Sequence, residues 1–391
     1  MKITIINGGS GAKNIIKALI KIKKIHITSI INTFDDGKST GLIRKFFKMP
    51  GPSDIRKVHS LFLNEQDENI KQYKDLYSIR LNHINRKNVF FEMNKYIEKK
   101  SEILFGIYIK NKKVKNFIIK NLSFFLTYLL KVEKNNSMRF NFNDCSLMNC
   151  IYAGSYINNK KNITKVIYEF EQIFRMKGRV IPITNKNLYL SALLNNNQIL
   201  ASEDLIINNN TKKNIKKLFL TRIPANKIIK NKINNQSIKY LEMHNYNYAI
   251  SKEVRKCLNR TNILVFAPGT QYSSLFPTYA CKGFGNSISS NKNIIKILFT
   301  NIQNEKDTFN YSALDYVNKS LDYLSIKNFN ERIFFFNYIL VNKSTIKDKT
   351  FKFVKNNIEN KMFNSNLIFE NFTDKNLMHD IKKIYKLISK L

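Results

Sequence analysis

The sequence predicts an α/β protein: a Rossmann-like, doubly wound and mostly parallel sheet carrying a helical insertion. Three observations lead there. Strand, helix and strand patterns follow one another within the first thirty or so residues, the length of a right-handed βαβ crossover. Eleven of the twelve glycines lie outside one charged central segment, and several close predicted strands. That segment, residues 67–141, lacks proline, carries a single glycine and reads as mainly helical.

Lys2–Asn7 is a β-branched run, Asn14–Lys24 carries Ile15, Ile16, Ala18, Leu19 and Ile22 at helical spacing, and Ile25–Thr33 is a second β-branched run. Inside the insertion, Ile103–Ile109 reads as a strand. Beyond it, Cys145–Ile157 and Ile163–Met176 read as helices. Arg179–Thr184, Leu188–Leu194 and Gln198–Ser202 read as short strands. A helix at Ala249–Asn259 leads into the apolar strand Asn262–Ala267. Asn293–Thr300 and Arg332–Val341 are further strand candidates, and Ser312–Leu324 and Asp374–Leu391 further helices. The whole chain, 1–391, is expected to form one nucleotide-binding domain around the insertion.

Composition narrows the function. With 43% hydrophobic residues, 29 Phe and 19 Tyr, the chain has ample material for a core. The longest apolar stretch, Phe117–Leu130, is broken by Lys120 and Asn121 and falls short of the roughly 20 residues of a membrane span. The amino terminus reads as a strand rather than a signal peptide, and the four cysteines form no CxxC pair. A cytoplasmic protein with reduced thiols, away from membranes, is expected. The net charge of +38 is spread over strands and helices alike, the mark of Lys- and Asn-rich codon usage. Nucleic-acid binders cluster such charge, so nucleic acid is not the expected partner.

Ligands of open α/β sheets bind beyond the carboxyl ends of the strands, so the strand-end turns carry the functional expectation. Gly8-Gly9-Ser10-Gly11 closes the first strand and opens a helix, where a close backbone and free N–H groups suit a phosphate. The third glycine of the dinucleotide fingerprint is replaced by Asn14, which argues against NAD or FAD. Asp35-Asp36-Gly37-Lys38-Ser39-Thr40-Gly41 closes the second strand. A P-loop would need a glycine where Asn32 stands. What remains is a carboxylate pair, Asp35 and Asp36, able to hold Mg²⁺ or act as general base, beside Ser39, Thr40 and Arg44. In Gly51-Pro52-Ser53-Asp54-Ile55-Arg56, Ser53 or Asp54 reads as a helix cap, and Asp54 and Arg56 as candidates for the same cleft. His59 reads as an incidental helix residue. Pro268-Gly269-Thr270-Gln271-Tyr272-Ser273-Ser274 closes the apolar strand of the second half. Gly269, Thr270, Ser273 and Ser274 offer donors to phosphate, and Tyr272 a ring to pack on a base or ribose.

These motifs, in this order, resemble the family of 2-phospho-L-lactate transferase (CofD) and the UDP-sugar-binding gluconeogenesis factors. Ser146-Leu147-Met148-Asn149, Tyr152-Ala153-Gly154 and His379-Asp380 add weaker echoes. The resemblance implies a Rossmann-like homodimer that binds a GDP- or UDP-linked conjugate. In the transferase branch, it implies transfer of a phospholactyl group to a hydroxyl acceptor, with Mg²⁺ and release of a nucleoside monophosphate. By the same carry-over, Gly8–Gly11 and Gly269–Ser274 hold the nucleotide phosphates, and Ser146 and Asn149 lie near ribose or phosphate. Asp35 or Asp36 binds metal or activates the acceptor. The Asp35–Gly41 turn is closer to the UDP-sugar-binding branch, whose members bind without obvious turnover. Cys145 and Met148 stand where the family tends to show His and Gly.

Overall fold

A computed structural model describes residues 1–229, 234–343, 353–359 and 362–390. Among these residues the strands are β1 (Lys2–Ile6), β2 (His26–Ile31), β3 (Ile103–Leu104), β4 (Ile107–Tyr108), β5 (Gly178–Pro182), β6 (Tyr189–Leu194), β7 (Ile199–Leu200), β8 (Ile215–Thr221), β9 (Ile263–Phe266), β10 (Ile295–Phe299), β11 (Tyr338–Asn342) and β12 (Asn366–Glu370). The contacts divide the chain into two compact units. One comprises residues 1–32, 180–184 and 188–391, and the other residues 33–179 and 185–187.

The first unit is built on a seven-stranded sheet in the order β12-β11-β10-β9-β1-β2-β5. Pairing is parallel from β12 through to β2. The β1 residues Ile3, Ile5 and Ile6 and all four residues of β9 are fully buried, as strands covered on both faces must be. From β1 the chain moves outward through β2 to β5; from β9, on the other side of β1, it moves outward through β10 and β11 to β12. The winding therefore reverses between β1 and β9, the place where doubly wound sheets open a crevice for ligand. A smaller antiparallel sheet, β7-β6-β8, belongs to the same unit. Leu193 and Phe219 pack there with Ala225, Ile228 and Leu241.

The second unit is helical, and it is larger than the expected insertion. It begins at Thr33 and includes residues 67–141. Helices span Lys38–Phe47, Ser53–Phe62, Ile70–Ser78, Arg86–Ile97, Lys112–Asn135, Leu147–Asn158 and Ile163–Ile173. Aromatic pairs fill its core, among them Phe47 stacked on Phe125 (5.1 Å) and Tyr152 stacked on Phe170 (3.8 Å). The helix Lys112–Asn135 is the longest in this unit, and no described helix is long and apolar enough to cross a membrane.

Several expected boundaries shift for identifiable reasons. Ile103–Ile109 is no single strand, because Phe105 and Gly106 adopt positive φ (44° and 83°) and turn it into the hairpin β3–β4. Within Arg332–Val341, the first residues finish a helix, Phe329–Phe334, that Asn328 caps by accepting the Glu331 N–H at 3.1 Å; the strand waits until Tyr338. The last helix starts at Ile381 rather than Asp374. Asp380 caps it, and the Asp374 carboxylate closes the preceding turn through the amides of Asn376 and Met378. The strands β8 and β12 were unforeseen; Lys216 and Lys217 interrupt the apolar pattern of the first.

Packing in the helical unit gives a stability test. A Cβ on Gly154 would stand 1.8 Å from the Asn121 carbonyl oxygen of the 24-residue helix, so only glycine lets these backbones touch. Overpacking of this kind costs about 1–3 kcal/mol. Gly154→Ala is expected to lower the urea-unfolding free energy by about 2 kcal/mol or more; an unchanged midpoint would show that the two helices do not meet this closely.

Candidate functional site

The exits of β1 and β9 meet in the first unit. At the first exit, Ser29 donates to the Asn7 side-chain oxygen at 2.7 Å, and the Asn7 amide donates to the Gly8 carbonyl. The turn 8–12 then feeds the helix Lys13–Ile20. Among the described residues, the backbone N–H groups of Gly8, Gly9, Ser10 and Gly11 find no protein acceptor. Ser10 is exposed and Gly11 half-buried, so part of this row of donors is open to a ligand. Such a row at a helix start suits an anion.

The second exit packs against it backbone to backbone. A Cβ on Gly11 would come within 2.5 Å of the Pro268 carbonyl oxygen and 2.8 Å of Gly269 Cα, and one on Gly8 within 2.6 Å of Ser274 Oγ. Gly269 has φ of +144°, a region that favours glycine. Asn301, just beyond β10, clamps it on both sides: Asn301 Oδ1 accepts the Gly269 N–H at 3.0 Å and Asn301 Nδ2 donates to the Gly269 carbonyl at 2.9 Å. Gln271 Nε2 donates to the same carbonyl at 3.0 Å. The chain continues as a π-helical turn, Gln271–Leu275, a form frequent at functional sites. Thr270 and Ser274 hydroxyls lie 2.9 Å apart, Ser273 is buried beside them, and Asn32 donates to the Ser273 and Ser274 carbonyls.

Tyr272 corrects the expectation made for it. Its side chain is 1% exposed, its hydroxyl is bonded to that of Tyr311 at 2.5 Å, and its ring lies against Phe276 and Tyr323. No base or ribose can pack on it; it anchors the π-helical turn. The Tyr272 N–H is held by Asp307 Oδ2 at 2.8 Å. Burial raises the Asp307 carboxyl to about 7, against the pull of the amides that bond it. His379 and Asp380 also serve structure: the His379 carbonyl accepts from Asn14, burial lowers its imidazole to about 4, and Asp380 caps the last helix.

The second unit gathers the remaining motif residues. Asp35 Oδ1 accepts the Gly37 N–H at 3.0 Å, a tight Asx turn. Gly51 lies under it, with any Cβ only 2.6 Å from the Asp35 carbonyl. Burial first, and then the Asp54 carboxylate, raise Asp35 to about 6, with Lys57 opposing them. Lys57 Nζ bonds Asp54 Oδ1 at 3.1 Å. Arg44, expected on the nucleotide, is instead fully buried. It donates to the carbonyls of Phe34 (2.8 Å) and Asp35 (3.2 Å) and to Asn187 (2.9 Å), and so braces the carboxylate turn. Ser39 is buried in the first turn of the helix that follows.

Ser53 is not a cap. Pro52 holds that position, and Ser53 Oγ bonds Thr40 Oγ1 at 2.5 Å and accepts from Asn149 Nδ2 at 3.2 Å. In the same unit the buried Thr33 Oγ1, Ser146 Oγ and Asn149 Oδ1 have no partner, each costly to keep so unless something polar visits. Arg56 donates to the Tyr77 carbonyl at 3.2 Å while its Nε is unsatisfied. His59, far from incidental, is wholly buried against the Tyr152 hydroxyl at 2.5 Å, and burial lowers its imidazole; Glu171 stands 3.9 Å away, beyond hydrogen-bond reach. Among the described residues no three His, Cys, Asp or Glu side chains gather as a ready metal cage.

Residues 3–366 match the family described as 2-phospho-L-lactate transferase CofD. The chain belongs to this family. A putative gluconeogenesis factor of Clostridium acetobutylicum is 21% identical over 352 residues, 89% of this chain and 57% of that protein, so the chain spans little more than half of it. The gluconeogenesis factor of Bacillus subtilis is 21% identical over 349 residues, 89% of this chain and 80% of that one. A crystal structure of a Bacillus halodurans protein superposes with a TM-score of 0.67 at 19% identity, over 99% of this chain and 98% of that one, and so shares the fold. Family membership supports a CofD-like transferase or a related factor. Sequence reasoning overlooked Asn301, Asp307 and Lys57. Asn301 sits at a strand end and Lys57 three residues after Asp54, both legible signals, whereas nothing local marked Asp307.

Asp307 gives the test of this geometry. Its raised value means the folded chain keeps a proton that the unfolded chain releases between about pH 4 and 7, so its stabilising share is lost as pH rises through that window. Asp307→Asn is therefore expected to gain stability over the parent as pH rises from 4.5 to 7.5, by roughly 2 kcal/mol. Parallel unfolding curves at both pH values would contradict it.

Proposed function

We propose that this CofD-family chain binds a nucleotide-diphosphate conjugate and transfers its substituted phosphate to a hydroxyl acceptor. The observation that carries the reading is the row of free amides from Gly8 to Gly11, held against Gly269 at the β1–β9 reversal. Those donors and the Thr270 hydroxyl suit the pyrophosphate, and fixed donors of this kind stabilise charge that builds up during phosphoryl transfer.

Asp35 is assigned the acceptor. A carboxyl raised to about 6 is ionised at neutral pH yet basic enough to take a proton from a hydroxyl. The acceptor oxygen bonds to phosphorus, its proton passes to Asp35, and the phosphoanhydride bond breaks to release the nucleoside monophosphate. Mg²⁺, when bound, neutralises phosphate charge. Asp35 and Asp36 are the residues that would hold it, and with one or two carboxylates it would keep water and substrate oxygens as its other ligands. Since no three-carboxylate cage exists among the described residues, metal affinity should depend on the nucleotide being present.

A second reading, a UDP-sugar-binding regulator without turnover, is favoured by the similarity to proteins named gluconeogenesis factors. Calorimetry with GDP, UDP and UDP-sugars, with and without Mg²⁺, separates the two. The transferase reading expects Mg²⁺ to tighten binding at least tenfold, an effect lost in Asp35→Asn and fading as pH falls below about 6 when Asp35 takes up its proton. Tight UDP-sugar binding indifferent to Mg²⁺ would establish the regulator instead. Binding of polynucleotides alone, with steep salt dependence, would remove both.

A further inference from the structure

Beyond β10, on the same carboxyl-end edge of the sheet as the two glycine turns, the first unit has a cavity of about 600 Å³. Its lining includes Gln303, Asn304, Glu305, Lys306, Phe309, Tyr311 and Lys355. The volume falls within the range of small-molecule sites. Phe309 is half-buried and, among the described residues, meets no other aromatic ring, while neighbouring Tyr311 is locked against Tyr272 and Tyr316. Lys306 and Lys355 are exposed at the cavity and, among the described residues, pair with no carboxylate.

This cavity is wired to the pyrophosphate turn. Asn301, two residues before Gln303, holds the Gly269 peptide on both sides. Asp307, between Lys306 and Phe309, holds the Tyr272 N–H, and the Tyr311 hydroxyl holds that of Tyr272. The wall of the cavity and the π-helical turn are therefore one hydrogen-bonded piece, and whatever fixes one orders the other. Tyr272, the ring that the sequence offered to a base, is fully packed away.

We infer that this cavity receives the nucleoside end of the nucleotide-diphosphate conjugate, with Phe309 supplying the stacking face and Gln303, Asn304 and Glu305 polar groups for its edges. The inference rests on the proposed function and gives it a base subsite. Stacking a base on an aromatic ring is worth about 1–3 kcal/mol by alanine substitution, a factor of roughly 5 to 150 in affinity. A planar ring with any edge pattern would gain it, so the subsite accepts either a purine or a pyrimidine, with those polar groups reading its edges.

The test compares inorganic pyrophosphate, GDP and UDP on the full chain by calorimetry. In Phe309→Ala the nucleoside diphosphates are expected to lose at least fivefold in affinity while pyrophosphate binds as before; Phe309→Leu, which keeps apolar bulk but no ring face, should lose nearly as much, and Phe309→Tyr should recover it. Equal binding of GDP and UDP by parent and Phe309→Leu overturns the inference and leaves the pyrophosphate reading standing. Equal losses for pyrophosphate and nucleotides also overturn it, since the effect would then be a collapse of the turn. If the parent binds neither pyrophosphate nor nucleotide, the proposed function fails and the inference with it.

Discussion

The first unit's site depends on the contact of two backbones where the winding of the sheet reverses. Gly8 and Gly11 leave β1 and meet the segment Pro268–Ser274 that leaves β9, at distances no side chain would permit. From that contact the rest of the first unit's site follows. The amides of the first turn stay free of protein partners, and Gly269 takes a backbone angle open to glycine. Asn301, Gln271 and Asp307 are then all committed to holding the second turn in place. Polar side chains of types that often contact ligands are here committed to shaping the backbone.

In the second unit the same economy appears with charge. Arg44 gives its guanidinium to carbonyls of the turn that carries Asp35, so a buried cation organises the main chain and leaves the carboxylate to be tuned by Asp54 and Lys57. The hydroxyl pair Thr40–Ser53 has Asn149 attached, and Asn149 Oδ1 lacks a partner, as do the buried Thr33 and Ser146 hydroxyls of the same unit. Natural cores rarely tolerate several such atoms together, and they tend to mark places kept open for water or ligand. Of the many lysines, Lys57 enters this arrangement, through Asp54 and Asp35.

Much of this was legible in the residues. β1, β2 and β9 are continuous β-branched or apolar runs, and strands buried on both faces must read so. The strand-end glycines marked the turns that meet, because glycine is required where backbones touch. What the sequence hid was the fate of individual side chains. Tyr272 and Arg44 are types that usually contact nucleotides, yet burial commits both to structure. His59 looked accidental because Tyr152, its partner, lies 93 residues away. The reach of the helical unit back to Thr33 was equally hidden, since long-range packing and not local composition draws that boundary.

A crystal structure of the full chain with a bound nucleoside diphosphate tests the central claim most directly. The account predicts the diphosphate oxygens within hydrogen-bond distance of the Gly9, Ser10 and Gly11 amides, with Gly11 still packed on Gly269. A ligand seated away from these amides, or glycine turns that part company in the solved chain, would contradict it.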